Sequence, residues 1–208
     1  MLPQLLLMGS LAAAPPPIRF ITNRMCPFAQ RAHIALEESG IAFELEEIEL
    51  YPKPSWFTRL SPKGKIPVLV AADGSVITES ETICDWVADA ALPAARLRPD
   101  DADARAACAR WRERVNGELD PIGKRAVTSS ARSELSALLR ELDGEVRGEF
   151  LAGDDFSLAD VSALPFLQRI HEEYGFPAEC EKLQAWYERA SRRPCFSKTR
   201  QSSWWWWW

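Results

Sequence analysis

One cysteine of this chain lies where its chemistry could be used. Cys26 follows the β-prone run Ile18–Thr22 and directly precedes Pro27, which suits the first position of a helix. A sulfur at a helix N-terminus faces unpaired backbone N–H groups and the positive end of the helix dipole. Both features favour a negative charge, so we expect a lowered pKa for Cys26 and a thiolate nucleophile near neutral pH.

No second thiol lies next to Cys26 in the sequence. The fourth residue of its motif is Ala29, so a dithiol relay is not expected, and an external thiol must release any mixed disulfide formed on Cys26. An isolated cysteine is usually a buried and inert core residue. That interpretation holds for the other four cysteines, which lack a comparable position: Cys84, Cys108, Cys180 and Cys195.

Three further segments carry groups that could bind a charged peptide. A cis bond before Pro67 would expose the Ile66 backbone for pairing with a peptide-like ligand, whereas a trans proline would only begin a strand. Ser80 begins a predicted helix, where its N–H and hydroxyl could bind a carboxylate, and Glu79 could bind an ammonium group. Lys53 could pair with a second carboxylate. Simple helix capping and a solvated lysine are the alternatives, but with a nucleophilic sulfur these groups match glutathione.

The segments that must position these residues change character along the chain. Strand and helix signals alternate over residues 18–92 and predict βαβ followed by ββα, which makes an α/β domain. A linker rich in proline and aspartate follows, and residues 102–200 have helical spacing of apolar residues, which predicts an all-α domain. Two capping boxes are predicted to begin helices, Thr78-x-x-Glu81 and Ser157-x-x-Asp160.

The two ends of the sequence are unusual. Residues 1–17 are uncharged and include an apolar run, which resembles a secretory signal peptide but lacks a basic start. We interpret them as an irregular extension, with a cleaved targeting segment as the alternative. Residues 204–208 are five consecutive tryptophans. No packing scheme requires such a run, and we treat it as an artefact tail.

Composition argues against several classes of function. A net charge of −5 gives no basic surface for nucleic acid, and no segment is long and apolar enough to span a bilayer. The two histidines, His33 and His171, lie outside any zinc-ligand spacing, so no metal is expected. Five scattered cysteines cannot all pair in disulfides, which favours a reducing compartment such as the cytoplasm.

Four motifs of the first half resemble one known family. Residues 25–31, MCPFAQR, resemble the CPFxxR signature of the cysteine-type glutathione transferases, which comprise the omega, lambda and dehydroascorbate reductase classes. Residues 53–57, KPSWF, resemble their NKPEWF segment. Residues 61–69, SPKGKIPVL, and residues 78–80, TES, resemble their SPxGKVPVL and YES or TES segments. The resemblance is close over about residues 18–92.

The resemblance implies a glutathione transferase fold, in which a thioredoxin-like domain precedes an all-helical acceptor-substrate domain. It implies that Cys26 is catalytic, that the bond before Pro67 is cis, and that glutathione contacts Phe28, Lys53, Ile66, Glu79 and Ser80. The reactions typical of this branch are removal of glutathione from mixed disulfides and reduction of dehydroascorbate. A homodimer is expected on the same ground, and the acceptor is expected to be a small electrophile or a disulfide.

A binding protein is the alternative function. The intracellular chloride channel proteins are relatives of these transferases, and a non-catalytic glutathione-binding regulatory protein would share the same motifs. Some of those relatives are proposed to enter membranes. The predicted first helix of this chain carries four charged or titratable residues, which argue against stable insertion: Arg31, His33, Glu37 and Glu38.

Overall fold

The computed structural model describes residues 17–127 and 131–201. The tryptophan run at 204–208 lies outside the described residues, as does the predicted extension at 1–17 apart from Pro17. The described residues form a four-stranded sheet with three helices, followed by a wholly helical part.

The first part has the predicted order of elements. These are β1 (Ile18–Thr22), α1 (Pro27–Ser39), β2 (Phe43–Glu47), α2 (Ser55–Leu60), β3 (Val68–Val70), β4 (Val76–Thr78) and α3 (Ser80–Ala90). The sheet has the order β2-β1-β3-β4, in which β1 is parallel to β2 and the other neighbours are antiparallel. The prediction of βαβ followed by ββα in a thioredoxin-like arrangement is confirmed.

Alternating strand residues divide the core between the two faces of the sheet. Phe20 and Leu69 belong to the large cluster that includes α1, α3 and the helical part. Their neighbours Ile21 and Val68 point to the opposite face, where they pack with Phe57 of α2 in a small second cluster. The sheet is therefore covered on both faces, and its larger core is continuous with that of the helices.

The helical part is arranged around one central helix. It comprises α4 (Ala102–Arg114), a π-helical turn (Val115–Leu119), α5 (Asp120–Ala126), α6 (Arg132–Glu145), α7 (Leu158–Tyr174), α8 (Glu181–Ala190) and α9 (Pro194–Thr199), after a short 3₁₀ turn at Pro93–Ala95. Every residue of α7 from Leu158 to Ile170 is buried. The predicted capping box of Ser157 and Asp160 is confirmed at the start of α7.

The other predicted capping box is wrong. Thr78 ends β4, and α3 begins after Glu79, which has a φ of 68° and caps nothing with its side chain. The carboxylate of Glu81 bonds to Arg31 and Arg112 instead of turning back to the backbone. Two ion pairs to a half-buried carboxylate outweigh a single local hydrogen bond.

Candidate active site

A tight turn fixes Cys26 at the end of β1. The buried side chain of Asn23 donates from Nδ2 to the Ile48 carbonyl at 2.9 Å and accepts the Met25 N–H at 2.9 Å. The Cys26 N–H donates to the Asn23 carbonyl at 3.1 Å. Cys26 is thereby held in an extended backbone conformation as the N-cap residue of α1, with Pro27 in the first turn.

Burial of Cys26 changes the expected electrostatics. Its side chain is half-buried, and burial raises the pKa of the Cys26 thiol because the thiolate loses contact with water. The backbone N–H groups of Ala29 and Phe28 oppose this rise, as do the charges of Arg169 and Arg31. The prediction of a lowered pKa for Cys26 is therefore wrong in direction, because loss of hydration outweighs the helix N-terminus.

The predicted site residues meet in one cleft of about 800 Å³. Its lining includes six of the seven residues singled out in the sequence: Cys26, Phe28, Lys53, Ile66, Glu79 and Ser80. The seventh, Pro67, is buried behind Ile66, and the peptide bond between them is cis, as predicted. The structure brings the candidate residues together, and their roles as ligand contacts stay predictions.

The polar groups of the cleft come from different elements. Ser80 begins α3, and its hydroxyl accepts a hydrogen bond from Arg31 at 3.4 Å. Beside it, the exposed carboxylate of Glu79 lies 3.7 Å from the ammonium nitrogen of Lys65. Lys53 also lines the cleft, and its Cδ lies 3.7 Å from the point where a Cβ would stand on Gly64. Anionic and cationic groups thus both border the space next to Cys26.

Comparison with known families decides the family. The model of the glutathione S-transferase N-terminal domain matches residues 25–90, and that of the C-terminal domain matches residues 111–189. The chain belongs to the glutathione S-transferase family. Mouse glutathione S-transferase omega-1 is 32% identical and aligns over 91% of this chain and 84% of its own length. The rice protein described as "Probable glutathione S-transferase DHAR1, cytosolic" is 29% identical and aligns over 84% of each chain.

Solved structures agree with the family. Glutathione transferase Omega 3C from Trametes versicolor superposes with a TM-score of 0.80 at 27% identity and covers 91% of each chain. Rice GST1 in complex with glutathione superposes with a TM-score of 0.78 at 30% identity over 91% of this chain and 94% of its own. The expected glutathione transferase fold is confirmed.

A partly buried charge network joins the two parts of this family member. Glu81 of α3 pairs with Arg31 at 2.6 Å and with Arg112 of α4 at 2.6 Å, and it accepts the Ser162 hydroxyl of α7 at 3.0 Å. Burial disfavours its charge, but Arg31 and Arg112 hold the pKa of Glu81 below its usual range. Arg31 of the CPFxxR motif therefore ties α1 to α3, behind the cleft.

Two lysines that line the cleft, Lys124 and Lys65, were not among the predicted site residues. Lys124 belongs to α5, and its ammonium nitrogen lies 5.3 Å from the centre of the Phe28 ring and 2.8 Å from Asp120. It borders the cleft from the helical part. No local pattern marks it, because its position depends on how α5 packs against the first domain. Lys65 follows Gly64 within the motif at residues 61–69, so its place in that motif was a usable signal.

Neither a metal site nor a membrane span is found among the described residues. In residues 17–127 and 131–201, no group of three or more His, Cys, Asp or Glu side chains is placed to hold a metal ion. Nor does any helix within those ranges have the length and apolar character needed to cross a membrane. Both histidines pack against aromatic rings, His33 between Phe20 and Phe43 and His171 beside Tyr187.

Proposed function

We propose that this chain is a glutathione-dependent thiol transferase that works through a glutathionylated Cys26. The observation that carries the proposal is the isolation of this thiol. Cys26 is half-buried at the N-terminus of α1 and lines the cleft, whereas the other four cysteines are buried elsewhere. A lone accessible thiol can hold glutathione as a mixed disulfide but needs a second thiol from solution to release it. The omega-1 relatives support this assignment by family.

The surrounding groups fit the functional groups of glutathione. The exposed backbone of Ile66 pairs with the peptide, and the N–H and hydroxyl of Ser80 receive one carboxylate at the start of α3. Glu79 takes the ammonium group, and Lys53 takes the second carboxylate. Phe28 lines the same cleft as Cys26 and limits access of water to the reacting sulfurs. The rice structure with bound glutathione supports the same ligand for this chain.

Two substitutions at sulfur complete the reaction on a mixed disulfide. The Cys26 thiolate attacks the glutathione sulfur, forms a new disulfide and releases the acceptor as a thiolate. The thiolate of a second glutathione then attacks the glutathione sulfur of that intermediate, which gives oxidised glutathione and regenerates the Cys26 thiolate.

With dehydroascorbate, the Cys26 thiolate first adds to a carbonyl. A glutathione thiolate then attacks the Cys26 sulfur, and ascorbate leaves with the electron pair.

Class, location and assembly belong to the same proposal. Similarity to both omega-1 and the rice DHAR1 protein supports transfer or reduction with glutathione, with the omega, lambda and dehydroascorbate reductase classes as alternatives. We propose a cytoplasmic location, supported by the five free cysteines and by the cytosolic rice relative. A homodimer remains a prediction from the family resemblance.

A coupled assay tests the catalytic role of Cys26. Reduction of a glutathione mixed disulfide and of dehydroascorbate is followed in the wild type and in Cys26→Ala. We expect the variant to lose activity by more than about a thousandfold, because loss of a nucleophile removes the covalent route. Cys180→Ala is the matched control, since Cys180 is the N-cap residue of α8 but lies outside the cleft. It should retain activity.

The assay also separates the enzyme from a binding protein. Glutathione affinity of the wild type and of Cys26→Ala is measured by calorimetry. If both proteins bind glutathione and neither turns over either acceptor, the chain is a non-catalytic glutathione-binding protein and the proposed catalytic role of Cys26 is wrong.

A further inference from the structure

Arg169 carries a buried positive charge with no carboxylate partner among the described residues. It lies on α7 with no exposed surface. One terminal nitrogen, Nη1, donates to Gln30 Oε1 at 2.5 Å and to the Pro165 carbonyl at 2.8 Å. Its Nε and Nη2 atoms are buried and, within the described part of the chain, have no hydrogen-bond partner. An uncompensated buried charge is strongly destabilising, so a nearby anion stabilises this site.

The carboxylate of Glu172, three residues further along α7, is engaged elsewhere. Glu172 accepts from Arg200 at 2.8 Å and from Gln168 at 3.2 Å. The other buried arginine, Arg31, has a different environment, because it pairs with Glu81 at 2.6 Å. Of these two buried guanidinium groups, Arg169 alone lacks a direct carboxylate contact within residues 17–127 and 131–201.

The contacts of Arg169 lead to the first turn of α1. Its partner Gln30 lies one helical turn after Cys26, and the Gln30 N–H donates to the Cys26 carbonyl at 2.9 Å. The charges of Cys26 and Arg169 act on each other: Arg169 stabilises the thiolate, and the thiolate stabilises the guanidinium. Burial lowers the pKa of Arg169 to about 10, and Cys26 and Glu172 oppose this shift.

We propose that Arg169 is the buried counter-ion of the Cys26 thiolate, held against α1 by Gln30, and acts as a positioning residue for thiol transfer. The inference rests on the proposed function. In that reaction the Cys26 thiolate is the attacking group in the first step and the leaving group in the last. A buried cation held against α1 by Gln30 stabilises the negative sulfur in both states. When Cys26 is a thiolate, the same ion pair compensates the charge of Arg169.

Other charged groups also face Cys26. Arg31 acts from α1, but Glu81 neutralises much of its charge. The remaining titratable groups border the cleft, where Lys124 pairs with Asp120 and Lys65 with Glu79, while Lys53, Glu49 and Tyr51 also line it. These groups are exposed to solvent, half-buried or already paired, so their effects on Cys26 are screened more than that of a fully buried guanidinium.

The ion pair is tested by the pH dependence of alkylation. The rate at which iodoacetamide modifies Cys26 is measured between about pH 5 and pH 10, and peptide mass spectrometry identifies the modified cysteine. Replacement of Arg169 by methionine removes the charge at similar volume and should slow alkylation at pH 7 by about tenfold. Arg169→Lys keeps the charge and should remain within about twofold of the wild type. Arg192→Gln removes an exposed arginine as the control and should change nothing.

Folding is checked by thermal melting of each variant. If Arg169→Met does not fold, Arg169→Gln replaces it, since an amide can still donate to Gln30 and Pro165. A folded, charge-free variant with the wild-type pH profile overturns the proposal, as does an Arg169→Lys profile equal to that of Arg169→Met. The result is independent of turnover. If the charge-free variant has a shifted pH profile of alkylation and the wild type has no transferase activity, the ion pair is supported and the proposed function is wrong. If the wild type turns over normally and the profile is not shifted, the proposed function is supported and the ion pair is wrong.

Discussion

The helices α1 and α7 pack against each other. They differ in how the backbone N–H groups of their first turns are capped. At α7, the Ser157 hydroxyl accepts the Ala159 N–H at 3.3 Å. The carboxylate of Asp160 accepts the N–H groups of Ser157 at 2.8 Å and Leu151 at 3.0 Å, and the indole N–H of Trp186 at 2.8 Å. Side chains of the protein therefore satisfy this helix start, and nothing is left for a ligand.

At α1, the protein supplies no such cap. The N-cap residue is Cys26, no side-chain hydrogen bond closes the first turn, and that turn contains no acidic residue. Both N-cap residues have extended backbones, so the difference lies in the side chains and not in the chain path. A helix start closed from within contributes to stability, whereas one left open can bind or activate an anion.

The largest change in stability is expected at the N-terminus of α7, which is capped by side chains of the protein. Asp160→Asn places an amide N–H₂ among donors that the carboxylate now accepts, and at least one buried donor loses its partner. We expect the free energy of unfolding to fall by about 3 kcal/mol. Urea unfolding followed by circular dichroism measures this change.

The control for Asp160 is Asp155, an exposed aspartate of the loop before α7. Asp155→Asn should change the free energy of unfolding by less than about 0.5 kcal/mol. If the two variants lose the same free energy of unfolding, the buried hydrogen bonds of Asp160 contribute no more to stability than an exposed charge does. The proposed difference between the N-termini of α1 and α7 would then be wrong.

Local patterns predicted both helix starts correctly. The strand, Cys26 and Pro27 in succession indicate a junction, and Ser157-x-x-Asp160 indicates a capping box, because each depends on residues within one turn. The alternation of apolar residues predicted the order of elements for the same reason. Thr78-x-x-Glu81 has equally good spacing but a different outcome, since distant Arg31 and Arg112 attract the Glu81 carboxylate.

Properties that depend on the packing of the two parts were not predictable. The pKa of Cys26 rises because the site is buried, and burial is a property of the assembled fold. Lys124 reaches Phe28 and Arg169 reaches Gln30 from helices that lie about a hundred or more residues away along the chain. Without a repeated spacing to relate such residues, a single sequence gives no sign that they meet.

The N-terminus of α3 differs from both of these helix starts. Glu79 precedes it with a φ of 68°, a conformation that costs a side chain about 1–3 kcal/mol. Glu79→Gly removes that strain at some cost in unfolded-state entropy, so the free energy of unfolding should rise by about 1 kcal/mol. Glutathione affinity should fall because the proposed ammonium partner is lost. Urea unfolding and calorimetric titration measure the two effects.

Gly74 is the matched control for Glu79. It has a φ of 84° in the turn between β3 and β4, with open space around its Cβ position. Gly74→Ala introduces the strain that Glu79→Gly relieves and should destabilise the fold by about 1 kcal/mol. If Glu79→Gly is no more stable than the wild type, the positive φ of Glu79 does not strain the backbone before α3.

The smallest effect is expected from closing the N-terminus of α1. Serine at position 26 has the extended backbone of an N-cap, and its hydroxyl can accept the N–H of Phe28 or Ala29, which alanine cannot. Cys26→Ser should therefore exceed Cys26→Ala in free energy of unfolding by about 0.5 kcal/mol in urea melts. Both variants lack the thiol, so the difference isolates the cap. Equal stability would show that the first-turn donors are already satisfied. If the serine variant is more stable than the alanine variant and has no transferase activity, a nucleophilic cysteine occupies a position where a capping residue would stabilise α1 more.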